Sequence, residues 1–126
     1  MSIKSSIIIR FQLEGFHNFP KAIELFPEVS FLSERHRHIF HFECKKQVFH
    51  DDRDVEFIIF KRKVQSYMIE KFGSSKYEMN HPLFAYHCEF GPMSCEMIAR
   101  DLLEKFELES VSVFEDGENG ASLERI

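Results

Sequence analysis

The chain contains no tryptophan, and its 126 residues include only five glycines, four prolines and three cysteines. With so few breakers it has no internal repeat, low-complexity tract or linker, and its length suits a single domain, residues 1–126, with a normal core. The cysteines Cys44, Cys88 and Cys95 are odd in number and share no C-x-x-C spacing. Reduced thiols in a cytoplasmic protein are the simplest expectation. No stretch reaches the roughly 18 consecutive apolar residues that a membrane span needs. The opening Met1-Ser2-Ile3-Lys4-Ser5-Ser6 runs into only Ile7, Ile8 and Ile9 before Arg10, which argues against a signal peptide. Positive charge is short as well. A net charge of −5 with no basic stripe argues against a nucleic-acid-binding surface.

What the chain has in excess is phenylalanine, 15 residues, which an aromatic-rich core explains. From Ile7 to Leu13 apolar and polar residues alternate as in a half-buried strand, after which Gly15 and Pro20 are expected to leave His17 in an irregular segment. A second strand is expected over residues 37–48, with His38, Phe40, Phe42 and Cys44 on one face and His41, Glu43 and Lys45 on the other. Phe60, Val64, Tyr67, Met68 and Phe72 keep a helical period within residues 59–72, closed by Gly73 as C-cap. A second helix is expected from Ser94 or Cys95 to Phe106, capped by Ser94. Two strands, Val111–Glu115 and Ala121–Glu124, flank the turn Asp116-Gly117-Glu118-Asn119-Gly120. The order β-β-α-α-β-β implies an α+β fold, a four-stranded antiparallel sheet with two helices on one face.

His36 and His38, two apart at the start of a strand, project from the same face. With His17 from a loop beside a neighbouring strand they would make a three-nitrogen site suited to zinc with an open fourth position. In a chain with seven histidines, such a pair also arises by chance on a solvated strand face.

Gly15-Phe16-His17 and His36-Arg37-His38-Ile39-Phe40, read in order with four later segments, resemble the 6-pyruvoyl-tetrahydropterin and 6-carboxy-tetrahydropterin synthase family. The later segments are Val55-Glu56-Phe57-Ile58-Ile59-Phe60-Lys61, Met79-Asn80-His81, Met93-Ser94-Cys95-Glu96-Met97-Ile98-Ala99 and Val111-Ser112-Val113-Phe114-Glu115-Asp116. The resemblance spans nearly the whole chain. It implies a tunnelling fold whose sheets pool into an oligomeric barrel, with a hexamer favoured and sites formed between subunits. It also implies Zn2+ on His17, His36 and His38, acidifying carbon–hydrogen bonds of a bound reduced pterin such as dihydroneopterin triphosphate. Glu115 would anchor the pterin ring, since a carboxylate accepts two parallel N–H bonds from a guanidine-like edge. Glu96 would lie near the pterin site, and His81 would move protons. Each has a plainer alternative. Glu115 is also a strand-end surface residue, Glu96 favours a helix N-terminus, and a histidine before Pro82 is often structural.

The departures from the family pattern bear on activity. Ser30, Phe31 and Leu32 stand where a catalytic cysteine is expected, and Glu34 is the nearest acidic stand-in. Asn80 replaces the aspartate that would support an imidazolium at His81. Arg37 and Ile39 replace a glycine and an asparagine around the second ligand. Cys88 and Cys95 read as buried small hydrophobes. The expected function is therefore a divergent zinc-dependent pterin-synthase-like lyase. The alternatives are a non-catalytic oligomer that binds a pterin or purine-like ligand, and a structural oligomer with vestigial histidines.

Overall fold

A computed structural model describes residues 2–74 and 87–126. The fold is α+β. Among the described residues five strands form one sheet: β1 (Ser5–His17), β2 (His36–Val48), β3 (Cys88–Gly91), β4 (Ser110–Glu115) and β5 (Gly120–Glu124), in the order β3-β1-β2-β4-β5. The four expected strands all form and pair antiparallel, β1 with β2, β2 with β4 and β4 with β5. The expected count of four is corrected by β3, which lies parallel to β1 at the sheet edge. Its four residues Cys-Glu-Phe-Gly are too short to announce a strand, although Cys88 and Phe90 alternate inward as a strand requires.

Two helices cover one face of the sheet. Helix α2 (Phe57–Phe72) buries Phe60, Val64 and Met68, and helix α3 (Cys95–Lys105) buries Ile98, Ala99, Leu102 and Leu103. These side chains share one core with Ile9, Phe11, Phe40, Phe42, Val111 and Val113. Phe11 and Phe42 are cross-strand partners with rings stacked at 4.8 Å. Helix α2 starts two residues earlier than expected, because the Glu56 carboxylate accepts the N–H groups of Ile58 and Ile59 as a side-chain cap. Helix α3 starts where Ser94 accepts the Met97 N–H, as expected. Gly73 does close α2, but with extended backbone (φ −68°) rather than a left-handed turn. A Cβ there would lie 2.3 Å from the Ile69 carbonyl oxygen, so close approach is what requires glycine.

A short helix α1 (Ala22–Leu25) and a kinked 3-10 segment (Pro27–Ser33) link β1 to β2. Only Ala22 is buried along them, which leaves no periodic apolar pattern to read. No helix among the described residues is long and apolar enough to cross a membrane.

Candidate metal centre

The strand β1 does not stop at Gly15. It continues to His17, which sits directly across from His36, while Gly15 sits across from His38. The expectation of an irregular segment around His17 is thus corrected. Gly15 keeps the strand pattern because the rings of Phe90 and Phe40 lie against its backbone, where a Cβ would meet them at 2.6 and 2.9 Å. His17 shares parity with Ile9, Phe11 and Leu13, and so points to the helix-covered face. His36 and His38 lead the matching face of β2. Three imidazoles therefore meet at one end of the β1–β2 pair. Their ring centroids lie 4.6, 5.3 and 5.0 Å apart, at interplanar angles of 66°, 78° and 83°. Phe40 forms an apolar floor, edge-on to His17 and His38.

Each ring is fixed from behind. His17 Nδ1 lies 2.9 Å from the Met93 carbonyl, and His36 Nδ1 lies 2.8 Å from the Glu34 carbonyl. His38 Nδ1 lies 2.7 Å from Asp116 Oδ2. Carbonyls only accept, so Nδ1 carries the proton in His17 and His36, and the carboxylate imposes the same tautomer on His38. In a neutral imidazole that choice leaves Nε2 as a free lone pair. One ligand atom from each of the three histidines lies within 4.8 Å of the others. The three are close enough to hold a metal ion, and outer partners on all three rings are the usual companions of metal-binding histidine.

The Nε2 atoms of His17 and His38 are buried and have no hydrogen-bond partner. Glu115 Oε2 does come within 2.9 Å of His17 Nε2, and Oε1 within 3.6 Å of His38 Nε2. The shorter approach does not have the direction of a hydrogen bond, so it counts as charge proximity rather than satisfaction of the nitrogen. An unsatisfied buried polar atom costs about 1–3 kcal/mol. Two side by side are a cost that a bound cation would offset, and this donor set fits one.

In the metal-free chain a proton competes for the same nitrogen. Burial alone would disfavour a proton on His17, but the Glu115 carboxylate and the Met93 carbonyl outweigh it and raise its pKa above the ordinary value. Glu115 is held below the usual carboxylate range, chiefly by His17, with His38 and His36 adding attraction.

A cavity of about 290 Å³ opens beside the triad, lined by His17, His36, Glu115, Cys95, Glu96 and Phe19 among others. Helix α3 delivers Cys95 and Glu96 to it, and Glu96 also sits in the first turn of that helix. The Cys95 thiol stands 3.7 Å from Glu115 Oε2. Burial and the neighbouring Glu115 push it up to about 12, so it remains a protonated donor. Cys88, by contrast, is a fully buried core residue. Glu34 is exposed and contributes its backbone carbonyl, while its carboxylate is not part of the cavity wall. Asn80 and His81 lie outside the described residues. His41 belongs to the opposite sheet face, His50 pairs with Asp54 beyond the far end of β2, and His87 approaches Glu89 near β3.

Sequence reasoning missed Asp116. Its backbone is left-handed (φ 57°), and its carboxylate accepts the Ile39 N–H while backing His38. Aspartate tolerates that conformation well, and the Asp-Gly step after β4 is the signal that could have found it. The two backbone carbonyls have no signature in a sequence.

No family model matches the chain, and no curated protein matches it. Among solved structures, it is similar to the crystal structure of an uncharacterized protein from Wolinella succinogenes. The two share 16% identity, with a TM-score of 0.61, over 99% of this chain and 100% of the other. That likeness concerns the fold alone.

Proposed function

We propose that this chain is a zinc protein of the pterin-synthase type, whose pocket takes a reduced pterin or a related flat heterocycle. The observation that carries the reading is the triad itself, three imidazoles each fixed at Nδ1, with one ligand atom of each within 4.8 Å of the others, beside a cavity. His17, His36 and His38 would hold the ion. Bound zinc would supply Lewis acidity toward an oxygen of the ligand and so acidify the adjoining carbon–hydrogen bond. Glu115 would receive the guanidine-like edge of the heterocycle, and Glu96 would lie at the cavity rim. His81 is the proposed proton carrier.

Among the described residues, the cavity wall carries Glu96 and Glu115 but no lysine or arginine. A triphosphate would meet repulsion there, so the phosphate-free members of the substrate class fit a single chain better than dihydroneopterin triphosphate. Cations from another copy would change that balance. Among the described residues the sheet ends in β5 on one side and in β3 on the other, where only an isolated bridge from Gly73 to Cys88 lies outside it, and Ile8 and Phe114 are exposed on the face away from the helices. These features support pooling of sheets into an oligomeric barrel, a hexamer in this reading, in a cytoplasmic protein.

The second reading, a binding protein without turnover, is favoured by the exposed Glu34 carboxylate and the protonated Cys95 thiol. The first lies off the cavity wall and the second holds its proton. The test is to load the protein with zinc, add dihydroneopterin triphosphate or its dephosphorylated form, and follow the pterin by absorbance and mass. Turnover that disappears in His36→Ala supports the lyase. Stoichiometric binding without product supports the binding protein. Neither binding nor turnover rejects the pterin reading.

A further inference from the structure

Large hydrophobic side chains stand in solvent at two places, one at each end of the β1–β2 pair. In the segment that links these strands, Ile23, Leu25, Phe26 and Phe31 are 61, 57, 56 and 68% exposed. Beyond the far end of β2, Phe49 is 81% exposed, and Phe57, Ile58 and Ile59 in the first turn of α2 are 54, 52 and 63% exposed. These eight make up most of the thirteen exposed large hydrophobics among the described residues. They are clusters, not the single scattered apolar residues of an ordinary surface.

The charges around the two patches are opposite. Residues 18–34 carry Glu24, Glu28 and Glu34 against one cation, Lys21. One turn after its apolar start, α2 carries Lys61, Arg62 and Lys63. Arg62 follows Ile58 by four positions and Lys63 follows Ile59 by four, so these cations share the side of the exposed isoleucines. Among the described residues, Glu24, Glu28, Arg62 and Lys63 are exposed and enter no ion pair. Acidic groups beside the second patch are engaged locally. Glu56 caps α2, Asp54 accepts the Phe49 N–H, and Asp52 pairs with Arg53.

Within one chain the two patches cannot meet. The thirteen paired residues of β1 and β2 lie between them, about 40 Å of strand at roughly 3.3 Å per residue. We propose that a second copy of this chain covers both patches. The two copies lie antiparallel, and the acidic segment of each seats on the start of α2 of the other. Such a two-fold pair closes on itself, with every contact made twice. The apolar side chains form its buried centre, and the opposed charges form its rim and fix its register. The contact lies beside the cavity, whose wall includes Phe19 and Leu32 of the same segment. It uses neither edge of the sheet, and it does not rest on the metal-site reading.

Charge reversal tests the pairing. In sedimentation velocity, the mass of the wild-type assembly should halve in Glu24→Lys/Glu28→Lys alone and in Arg62→Glu/Lys63→Glu alone. The dissociation constant of the pair should rise at least about tenfold in each. An equimolar mixture of the two variants should recover the wild-type mass, because each reversed patch then meets its reversed complement and each native patch its native one. A wild type that is monomeric at about 100 μM would overturn the proposal. So would variants that keep the wild-type mass, or a mixture that fails to recover it. Amide exchange on the wild type alone needs no variant to fold. Residues 23–31 and 57–63 should gain protection together as concentration rises, and protection of one stretch without the other, or of neither, would equally overturn the pairing. Zinc uptake reports on the histidine site separately, so the failure of one reading leaves the other standing.

Discussion

Two polar clusters in this molecule invite comparison. Between α2 and α3, Tyr67 donates to Asp101 Oδ2 at 2.8 Å, and Lys71 reaches both Asp101 Oδ1 and the Tyr67 hydroxyl, at 2.5 and 3.1 Å. Both carboxylate oxygens and the hydroxyl have partners there, so the cluster is complete. At the end of β1 and β2, three imidazoles are equally well held at Nδ1, yet two Nε2 atoms are buried without a partner. The first arrangement joins two helices. The second holds its rings fixed at one nitrogen while leaving the other unused, which folding alone gives no reason to do. A closed cluster explains itself, and an open one points to a missing occupant.

The largest expected effect breaks the open cluster. His38→Ala or His36→Ala should lower zinc affinity by more than about 100-fold, read by chelator competition, with the circular-dichroism spectrum of the metal-free chain unchanged. A zinc affinity that survives either change would place the metal elsewhere. Next is the support of the ring. Asp116→Asn keeps the shape but removes the charge behind His38 Nδ1, and should cost about 10- to 100-fold in zinc affinity. Equal affinities in the two proteins would show that Asp116 only shapes the turn.

The third effect is a reversal of pH dependence. In the metal-free chain the raised His17 pKa contributes stability that is fully present below its ordinary 6.5 and is lost as pH rises through the folded value. The lowered Glu115 pKa contributes stability present above its ordinary 4.5 and lost as pH falls through the folded value. Together they favour the metal-free fold between pH 4.5 and 6.5. Metal needs deprotonated imidazoles, so the rise in melting temperature on adding zinc should grow from pH 5.5 toward pH 8. A zinc-induced rise that is flat across that range would argue against imidazole ligands.

The smallest effect belongs to the closed cluster. Asp101→Asn should cost less than about 1 kcal/mol in urea unfolding, because Lys71 is half exposed and its pairing with Asp101 is screened by water. Zinc affinity should not change. A drop in that affinity would mean that the two clusters are coupled through α3.

Much of this was legible in the sequence, for identifiable reasons. The faces of β2 followed from strict alternation, and the start of α3 followed from Ser94, a common cap. The metal-site residues were legible as residue types, but their geometry was not. Gly15 signals a break in a local reading, whereas here it admits two aromatic rings that only the folded chain brings against it. Glu56 is an uncommon cap, so the first turn of α2 was hidden. β3 depends on pairing with β1, some 70 residues earlier in sequence, and so carries almost no local signal. Glu34 was chosen for its carboxylate, yet the site uses its carbonyl, a group that every residue possesses.

The most direct test of the central claim is native mass spectrometry of the freshly purified chain beside the His17→Ala variant. One zinc per chain in the wild type and none in the variant is the predicted result. A metal-free wild type that also refuses added zinc, or a variant that keeps its zinc, would contradict the account.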